Sequence, residues 1–329
     1  MRGIGCEGKR QRDPGGRTLE FKHLRTFLAV AEAGNVTHAA TLLHLVQPAV
    51  SRHLKLLEEE LGTPLFHRER QGMRLTASGH TLLDYARRAL QELERARDEI
   101  RPDDGRLSGV VTIGLLPSVC DLIASPLIRR LQQAHPDIQP RISMGYAGHL
   151  HQWLESGEID IALSYAPRQA PAIDTEPLLE EALWAIGLPH HALQATHPIS
   201  LETLVSHPLI LPTPRHGLRQ LLDLALIPRG LQARVAVETD AMSIQKRLVL
   251  EGHGVSILPG IAVAEDLREG RLTAAPIEAP GLKRRIVLAH STNRQVSRAV
   301  AGVENALKQC VKQVLNEGRW PMAQRFKTS

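Results

Sequence analysis

From Phe21 to about Ile100 the apolar residues recur with a helical period, interrupted only between Gly62 and Arg74. Leu24, Phe27, Leu28 and Ala31 follow the i, i+3, i+4, i+7 rule and predict a first helix, which Gly34-Asn35 stops. Val36, Ala39, Ala40 and Leu43 define a second, short helix. After His44-Leu45-Val46 a third opens with Gln47-Pro48, where a proline in the first turn loses no hydrogen bond. Its apolar side is Val50, Leu54, Leu57 and Leu61, and its polar side offers Gln47, Ser51, Arg52 and Lys55. Two short helices joined by a tight turn, with small Ala39 and Ala40 permitting close packing, predict a helix-turn-helix. The run Leu65 to Arg70 turns at Gln71-Gly72 and returns through Met73-Arg74-Leu75, which predicts a β-ribbon.

Thr76 or Ser78 can cap a long helix from about Ala77 to Ile100. There Leu83, Ala86, Leu90, Leu93, Arg97 and Ile100 recur at alternating three- and four-residue steps, with Leu82, Ala89 and Ala96 beside them. Such a seam calls for a partner helix and predicts dimerisation, weakened at its far end by Arg97; the other reading packs it on its own domain. Beyond the breaker cluster Arg101-Pro102-Asp103-Asp104-Gly105 the texture changes to short β-runs alternating with helices, an α/β signature. Gly109 to Leu115 predicts a buried strand leading through Leu116-Pro117-Ser118 into a helix with Leu122, Ile123, Leu127, Ile128 and Leu131. Leu209-Ile210-Leu211 repeats the arrangement, passing through Pro212 to Gly217 into Leu218 to Leu226. A third loop, Glu238 to Ser243, precedes a helix from Ile244 to Leu250, and Val255 to Leu258 returns as a strand. In open α/β sheets ligands bind where strand ends meet helix N-termini, because free amides and the positive dipole face that edge.

The outward side of the third helix carries major-groove chemistry. Arg52 can grip guanine O6 and N7 together, Gln47 can pair with adenine, and Ser51 and Lys55 can bond phosphates or bases. An ordinary solvated face has similar composition; the three helices and the ribbon together favour DNA. In the ribbon, Arg68, Arg70 and Arg74 can reach phosphates beside the groove, making it a wing, and Thr76, at a helix N-terminus that favours a phosphate, is expected to contact DNA with them.

Composition sharpens this mainly by exclusion. At 329 residues the chain has room for two or three domains of about 100–200 residues each. The net charge of +5 is concentrated at the ends: residues 1–19 and 318–329 each carry +3, leaving a body of net charge −1. Total charge therefore does not identify a nucleic-acid partner. The most apolar window, Val110 to Ile128, is broken by Pro117, Asp121 and Pro126, against a membrane span. No apolar run precedes residue 24, against a secretory signal, and Cys6, Cys120 and Cys310 are scattered as in a reducing cytosol. Cys120 falls in a helix's first turn, where a thiolate is favoured, or it is a small buried filler. No GxGxxG follows a strand, and neither GxxxxGK[ST] nor GxSxG occurs, so neither an enzyme nor a cofactor is expected. His149/His151 and His190/His191 lack the spacing of a zinc site, and no metal is expected.

Residues 20–80 resemble the winged helix-turn-helix of LysR-type transcriptional regulators. The likeness is carried by Glu20 to Phe27, Gln47-Pro48-Ala49-Val50-Ser51-Arg52, Leu57 to Gly62, Pro64 to Arg68 and Leu75-Thr76-Ala77-Ser78-Gly79, and it extends over about residues 19–315. It implies that Gln47, Pro48, Ser51, Arg52 and Lys55 belong to the DNA-reading helix. Val46 stands where members commonly carry Ser, so a helix cap and a phosphate contact are missing. The resemblance further implies a two-lobed α/β effector domain similar to periplasmic binding proteins. The division it implies is a tail 1–19, a winged domain 20–76, a linker helix and hinge 77–106, lobe one 107–181 with 284–317, lobe two 182–283 and a loose tail 318–329.

By position, Ser118 and Thr213 match hydroxyls that hold an effector in the family's cleft, although Ser118 could instead cap a helix. Tyr146 and Gly148 fall where they could line the cleft's mouth. Arg215, with His216 and Arg219, favours an anionic small molecule, and Asp160 is expected to hold backbone structure. The expected protein is a cytoplasmic, sequence-specific transcriptional regulator that binds an interrupted inverted repeat of double-stranded DNA. It is a dimer through the linker helix, paired into a homotetramer, with RNA polymerase as a further partner and no membrane. The alternatives are a solute-binding protein and a regulator without an effector. The Leu116-Pro117-Ser118-Val119 loop and the stretch Leu209 to Arg219 resemble the nitrogen assimilation control type. Leu19-Glu20-Phe21 resembles the Met-Glu-Phe with which members begin, so residues 1–18 are expected to be upstream read-in.

Overall fold

The computed structural model describes residues 19–69, 72–100, 106–167 and 170–326. It divides into two compact units, one ending at Arg97 and one beginning at Asp98. The N-terminal tail to residue 18, Arg70 and Gln71 of the ribbon turn, and the breaker cluster 101–105 lie outside the described residues.

In the first unit, α1 (Phe21–Ala33), α2 (Val36–Leu42) and α3 (Gln47–Leu61) are followed by the ribbon β1 (Phe66–Glu69) and β2 (Gly72–Leu75), then by α4 (Ala77–Ile100). Phe27, Val30, Ala39, Val50, Leu54 and Leu57 form the centre of their shared core. Leu61 is not part of it: as the last residue of α3, where the chain turns away at Gly62, it is 38% exposed. Val46 precedes α3 without a side-chain cap, as its missing hydroxyl requires. The ribbon sits hard against the α1–α2 turn. Met73 N–H donates to Gly34 O at 2.7 Å, and a Cβ on Gly72 (φ 143°) would lie 2.4 Å from that oxygen, so only glycine fits. From α4, Leu82, Leu83, Ala86 and Leu90 join this core, whereas Leu93 is 39% and Ile100 81% exposed. The first half of the seam thus serves its own domain and the second half is bare.

The second unit is built on one ten-stranded sheet. β3 (Gly109–Leu115) lies parallel to β4 (Ile138–Met144) and β5 (Ile161–Tyr165), with α5 (Pro117–Ala134) and α6 (Ala147–Ser156) connecting them. These strands and helices, with α11 (Arg298–Asn316), enclose the first lobe's core around Ile113, Leu115, Ile123, Leu154, Leu163 and Leu307. Asp160 holds backbone as expected, accepting from Thr112 N–H at 2.7 Å. The second lobe carries β7 (Leu209–Leu211), β8 (Val235–Glu238) and β9 (Val255–Pro259), mutually parallel along the sheet, with α7 (Leu201–Ser206), α8 (Gly217–Leu226), α9 (Met242–Leu250) and α10 (Gly260–Arg268).

Two long antiparallel strands join the lobes, β6 (Ile173–Gly187) and β11 (Leu282–Ser291), paired from Leu183↔Leu282 to Ile173↔Ser291. The short β10 (Thr273–Pro276) pairs with the far end of β6. The sequence reads everything after Glu317 as a loose tail, and the structure corrects this. Residues 318–326 return to β6, where β12 (Ala323–Arg325) pairs antiparallel with Leu179 to Glu181, and Trp320 is buried to 2% exposure. An indole with a buried partner and a free β6 edge outweigh the polar residues around them.

Candidate functional site

On the first unit, α3 turns Gln47, Pro48, Arg52 and Lys55 to solvent and leaves Ser51 half-buried on the same side. Lys55 sits 3.6 Å from Glu59, an exposed pair of little consequence to either charge. Arg68 and Arg74 project from the ribbon; Arg74 is 3.9 Å from Glu69. Arg70 lies outside the described residues. Thr76 does not join this surface. It is buried, its hydroxyl donating to Pro64 O at 2.8 Å and accepting from Gly79 N–H at 3.0 Å, so it caps α4 and has no proton left for a phosphate. Glu58, an unremarked member of a glutamate run, accepts from Leu65 N–H at 2.8 Å and fixes where the ribbon begins.

Behind α3, His53 Nδ1 lies 2.9 Å from the Thr26 hydroxyl, and its ring centroid lies 5.0 Å from that of His23. Burial, helped by the neighbouring His23, holds His53 below its ordinary value.

In the second unit a cleft of about 1020 Å³ opens between the two lobes. Ser118, Tyr146 and Gly148 line it from the first lobe, Thr213 and Arg215 from the second. The strand-to-helix edges after β3 and β7 therefore face one another across one space. Leu116, not Ser118, is the N-cap of α5, and the Ser118 hydroxyl lies 3.4 Å from Tyr165 Oη. Thr213 is tied to Asp240 through both N–H and hydroxyl, each at 2.9 Å. His216 Nδ1 accepts from Leu218 N–H at 3.2 Å and caps α8; burial and the nearby Arg284 hold its pKa below the usual value. Burial raises the Tyr146 phenol, with Asp240 adding to the effect.

Arg219 departs from expectation. It bonds Asp223 at 3.0 Å and Glu238 at 2.9 Å, so its largely buried charge is neutralised, and it is not among the cleft-lining residues. Of the two readings of Cys120, burial favours the filler over the thiolate, since it pushes the thiol's pKa up.

The floor of the cleft holds residues that the sequence did not single out. Arg284, on β11, stacks over the Tyr165 ring at 3.8 Å and donates to Glu181 Oε2 at 3.1 Å. Glu181, on β6, is fully buried; Tyr165 Oη donates to its Oε2 at 3.4 Å and Trp320 Nε1 to its Oε1 at 3.1 Å. Burial raises the Tyr165 phenol; Arg284 opposes this and Glu181 adds to it. Lys283 and Arg285 complete the cationic lining, and Asp240 is the sole acidic residue among the described lining groups.

Comparison with known proteins identifies both units. The profile of the bacterial regulatory helix-turn-helix protein, lysR family, matches residues 21–80, and that of the LysR substrate binding domain matches residues 104–311. The chain belongs to the LysR family of transcriptional regulators.

Among its LysR relatives, the uncharacterised regulator YdcI of Escherichia coli is 30% identical over 80% of this chain and 86% of its own. The RuBisCO operon transcriptional regulator of Allochromatium vinosum is 28% identical over 85% and 94%, and the nitrogen assimilation regulatory protein nac of Klebsiella aerogenes 26% over 92% and 98%. The nitrogen assimilation type is thus represented beside others of comparable identity. Full-length structures share the fold: an OxyR variant from Pseudomonas aeruginosa (TM-score 0.70, 21% identity, 94% of this chain and 99% of that one) and CbnR in complex with its target DNA (0.66, 24%, 90% and 99%). The first unit is therefore the DNA-binding part of a LysR regulator and the second its effector-binding domain, and the protein is not an enzyme. Among the described residues no helix is long and apolar enough to cross a membrane.

Proposed function

We propose that this LysR regulator reads an interrupted inverted repeat through Gln47, Ser51, Arg52 and Lys55, with Arg68 and Arg74 on flanking phosphates. The bare second half of α4, with Leu93 and Ile100, supports pairing into a dimer, and dimers into a tetramer. A small anionic effector between the lobes biases how the dimers sit on DNA, and thereby their productive contact with RNA polymerase, through its different affinity for open and closed lobes. The observation that carries the anionic reading is the cation surplus of the lining: with Lys283 matched by Glu180 at 2.9 Å and Arg284 by Glu181 at 3.1 Å, Arg215 and Arg285 still stand against Asp240 alone. Guanidinium forks match carboxylate, sulfate and phosphate geometry.

The test is calorimetric titration of the full chain with sodium sulfate, replacing chloride at constant ionic strength. Saturable binding that Arg215→Ala weakens supports the reading. No difference between sulfate and chloride overturns it.

A further inference from the structure

The family profile of the effector domain ends at Val311, yet the chain continues into the layer that supports the cleft floor. After α11 it runs back across the junction of the lobes. Trp320 packs in the first lobe's core and Met322 against an apolar cluster of the second. Met322 O accepts from Ala182 N–H at 2.9 Å, and Phe326 N–H donates to Leu178 O at 3.2 Å, where a bulge leaves that carbonyl outside the β6–β11 pairing. The fit on the second lobe is close: a Cβ on Gly260, at the start of α10, would lie 2.6 Å from Met322 Sδ and 2.9 Å from Pro321 O. The strap thus touches both lobes and both joining strands.

Its polar contacts reach the cleft's cations. Glu181 has no exposed surface, so its carboxylate relies on buried donors, and Trp320 Nε1–H takes Oε1 while Arg284 and Tyr165 share Oε2. Arg284 is in turn held by one terminal nitrogen and by the Tyr165 face, with its Nε buried and without a hydrogen-bond partner among the described residues. Arg284 also lines the cleft, so part of its side chain borders the space a ligand would fill. The neighbouring cleft residue Arg285 stacks over Phe326, at the strap's far end, at 4.9 Å.

We propose that Trp320 is a positioning residue for effector binding: by holding Glu181 from behind, it fixes Arg284 in the orientation that receives the acidic group of the ligand. The proposal rests on the anionic reading of the cleft. In it the C-terminal strap is part of the binding site's support.

Four full-length proteins test this: the natural chain, Trp320→Phe, Arg284→Lys and the double variant. Phenylalanine keeps one aromatic ring in the buried position and removes the N–H together with the pyrrole part of the indole. Sulfate affinity is expected to fall about tenfold in Trp320→Phe, the size of a lost hydrogen bond to a charged group. The thermal midpoint falls as well, because a buried Glu181 oxygen loses its donor, so the double variant and the arginine spectra separate positioning from stability. In the Arg284→Lys background the same change is expected to add nothing, because the residue through which Trp320 acts is already altered. Nitrogen-15 spectra of arginine-labelled protein are expected to show restrained guanidinium rotation at Arg284 in the natural chain and free rotation in Trp320→Phe.

Natural affinity and retained restraint in Trp320→Phe would overturn the proposal, leaving Trp320 a packing residue. So would a full additional loss in the Arg284→Lys background. If the natural chain binds no sulfate, the anionic reading falls, and the arginine spectra alone decide whether Trp320 positions Arg284.

Discussion

Asp240 accepts two hydrogen bonds from Thr213, one from its backbone N–H and one from its hydroxyl, both at 2.9 Å. The Thr213 proton is committed to that carboxylate, so the hydroxyl faces the cleft as an acceptor only. Asp240→Asn keeps an acceptor for Thr213 and removes a like charge from the space an anion enters. Sulfate affinity is expected to rise roughly tenfold, the effect of one charge at a few ångströms in a partly screened site. Calorimetry on the full chain checks it; unchanged affinity would show that the carboxylate does not face the anion.

On the DNA side, Arg52 and Arg68 are expected to fail differently. Arg52→Ala should lose about 1–3 kcal/mol of specific binding and relax base choice at one position. Arg68→Ala should weaken all sequences alike and reduce the salt slope by about one counterion. Gel-shift titrations at several salt concentrations separate the two, and equal behaviour would remove Arg52 from base reading.

The caps of α3 and α4 make opposite predictions. Val46→Ser supplies the hydroxyl that α3 lacks and is expected to stabilise the first unit by about 1 kcal/mol. Thr76→Val removes the Pro64 and Gly79 bonds and is expected to destabilise it by about 1–2 kcal/mol, with the salt slope of DNA binding unchanged. A reduced slope would place Thr76 on a phosphate after all. Chemical denaturation and DNA titration read the two quantities independently.

Acid should destabilise the effector domain through its histidines. Burial holds His151 and His216 below the ordinary value of 6.5. His151 Nε2 lies 3.2 Å from Ser164 Oγ and 3.1 Å from Tyr165 O. As pH falls through 6.5 the unfolded chain takes up protons before the folded one does, so stability is complete above that value. It declines toward the lowered folded values, below which nothing further is lost. A thermal midpoint that begins to fall as pH drops through 6.5, with a shallower slope in His151→Gln, is the expected outcome. A midpoint independent of pH in the natural chain would contradict it.

What could be read from the sequence was local. Helical period gave α1 to α4, and the strand-then-small-residue pattern gave the edges after β3 and β7, hence Ser118 and Thr213 facing one cleft. The joining strand β6 was illegible because Pro177 and Glu181 stand on its inward-facing set of positions, along a path that changes neighbours. Glu181 is indistinguishable in sequence from the surface Glu180. Its partners lie 103 and 139 positions away, at Arg284 and Trp320. Arg219 shows the converse: its charge pointed to the cleft until Glu238, nineteen positions on, neutralised it. The one available signal for the strap was a tryptophan beyond the last helix, in a chain with only 3% aromatic residues.

The pairing of β6 with β11 has an architectural consequence. The chain enters the second lobe near Leu183 and leaves it near Leu282, and those two residues face each other across adjacent strands. The lobe is therefore an insertion whose ends meet, a cassette that can be excised or exchanged without stretching the rest. Such a graft would carry Thr213, Arg215 and Asp240 and leave Ser118, Tyr146 and Gly148 behind. Exchanging cassettes between relatives would recombine ligand specificity one wall at a time.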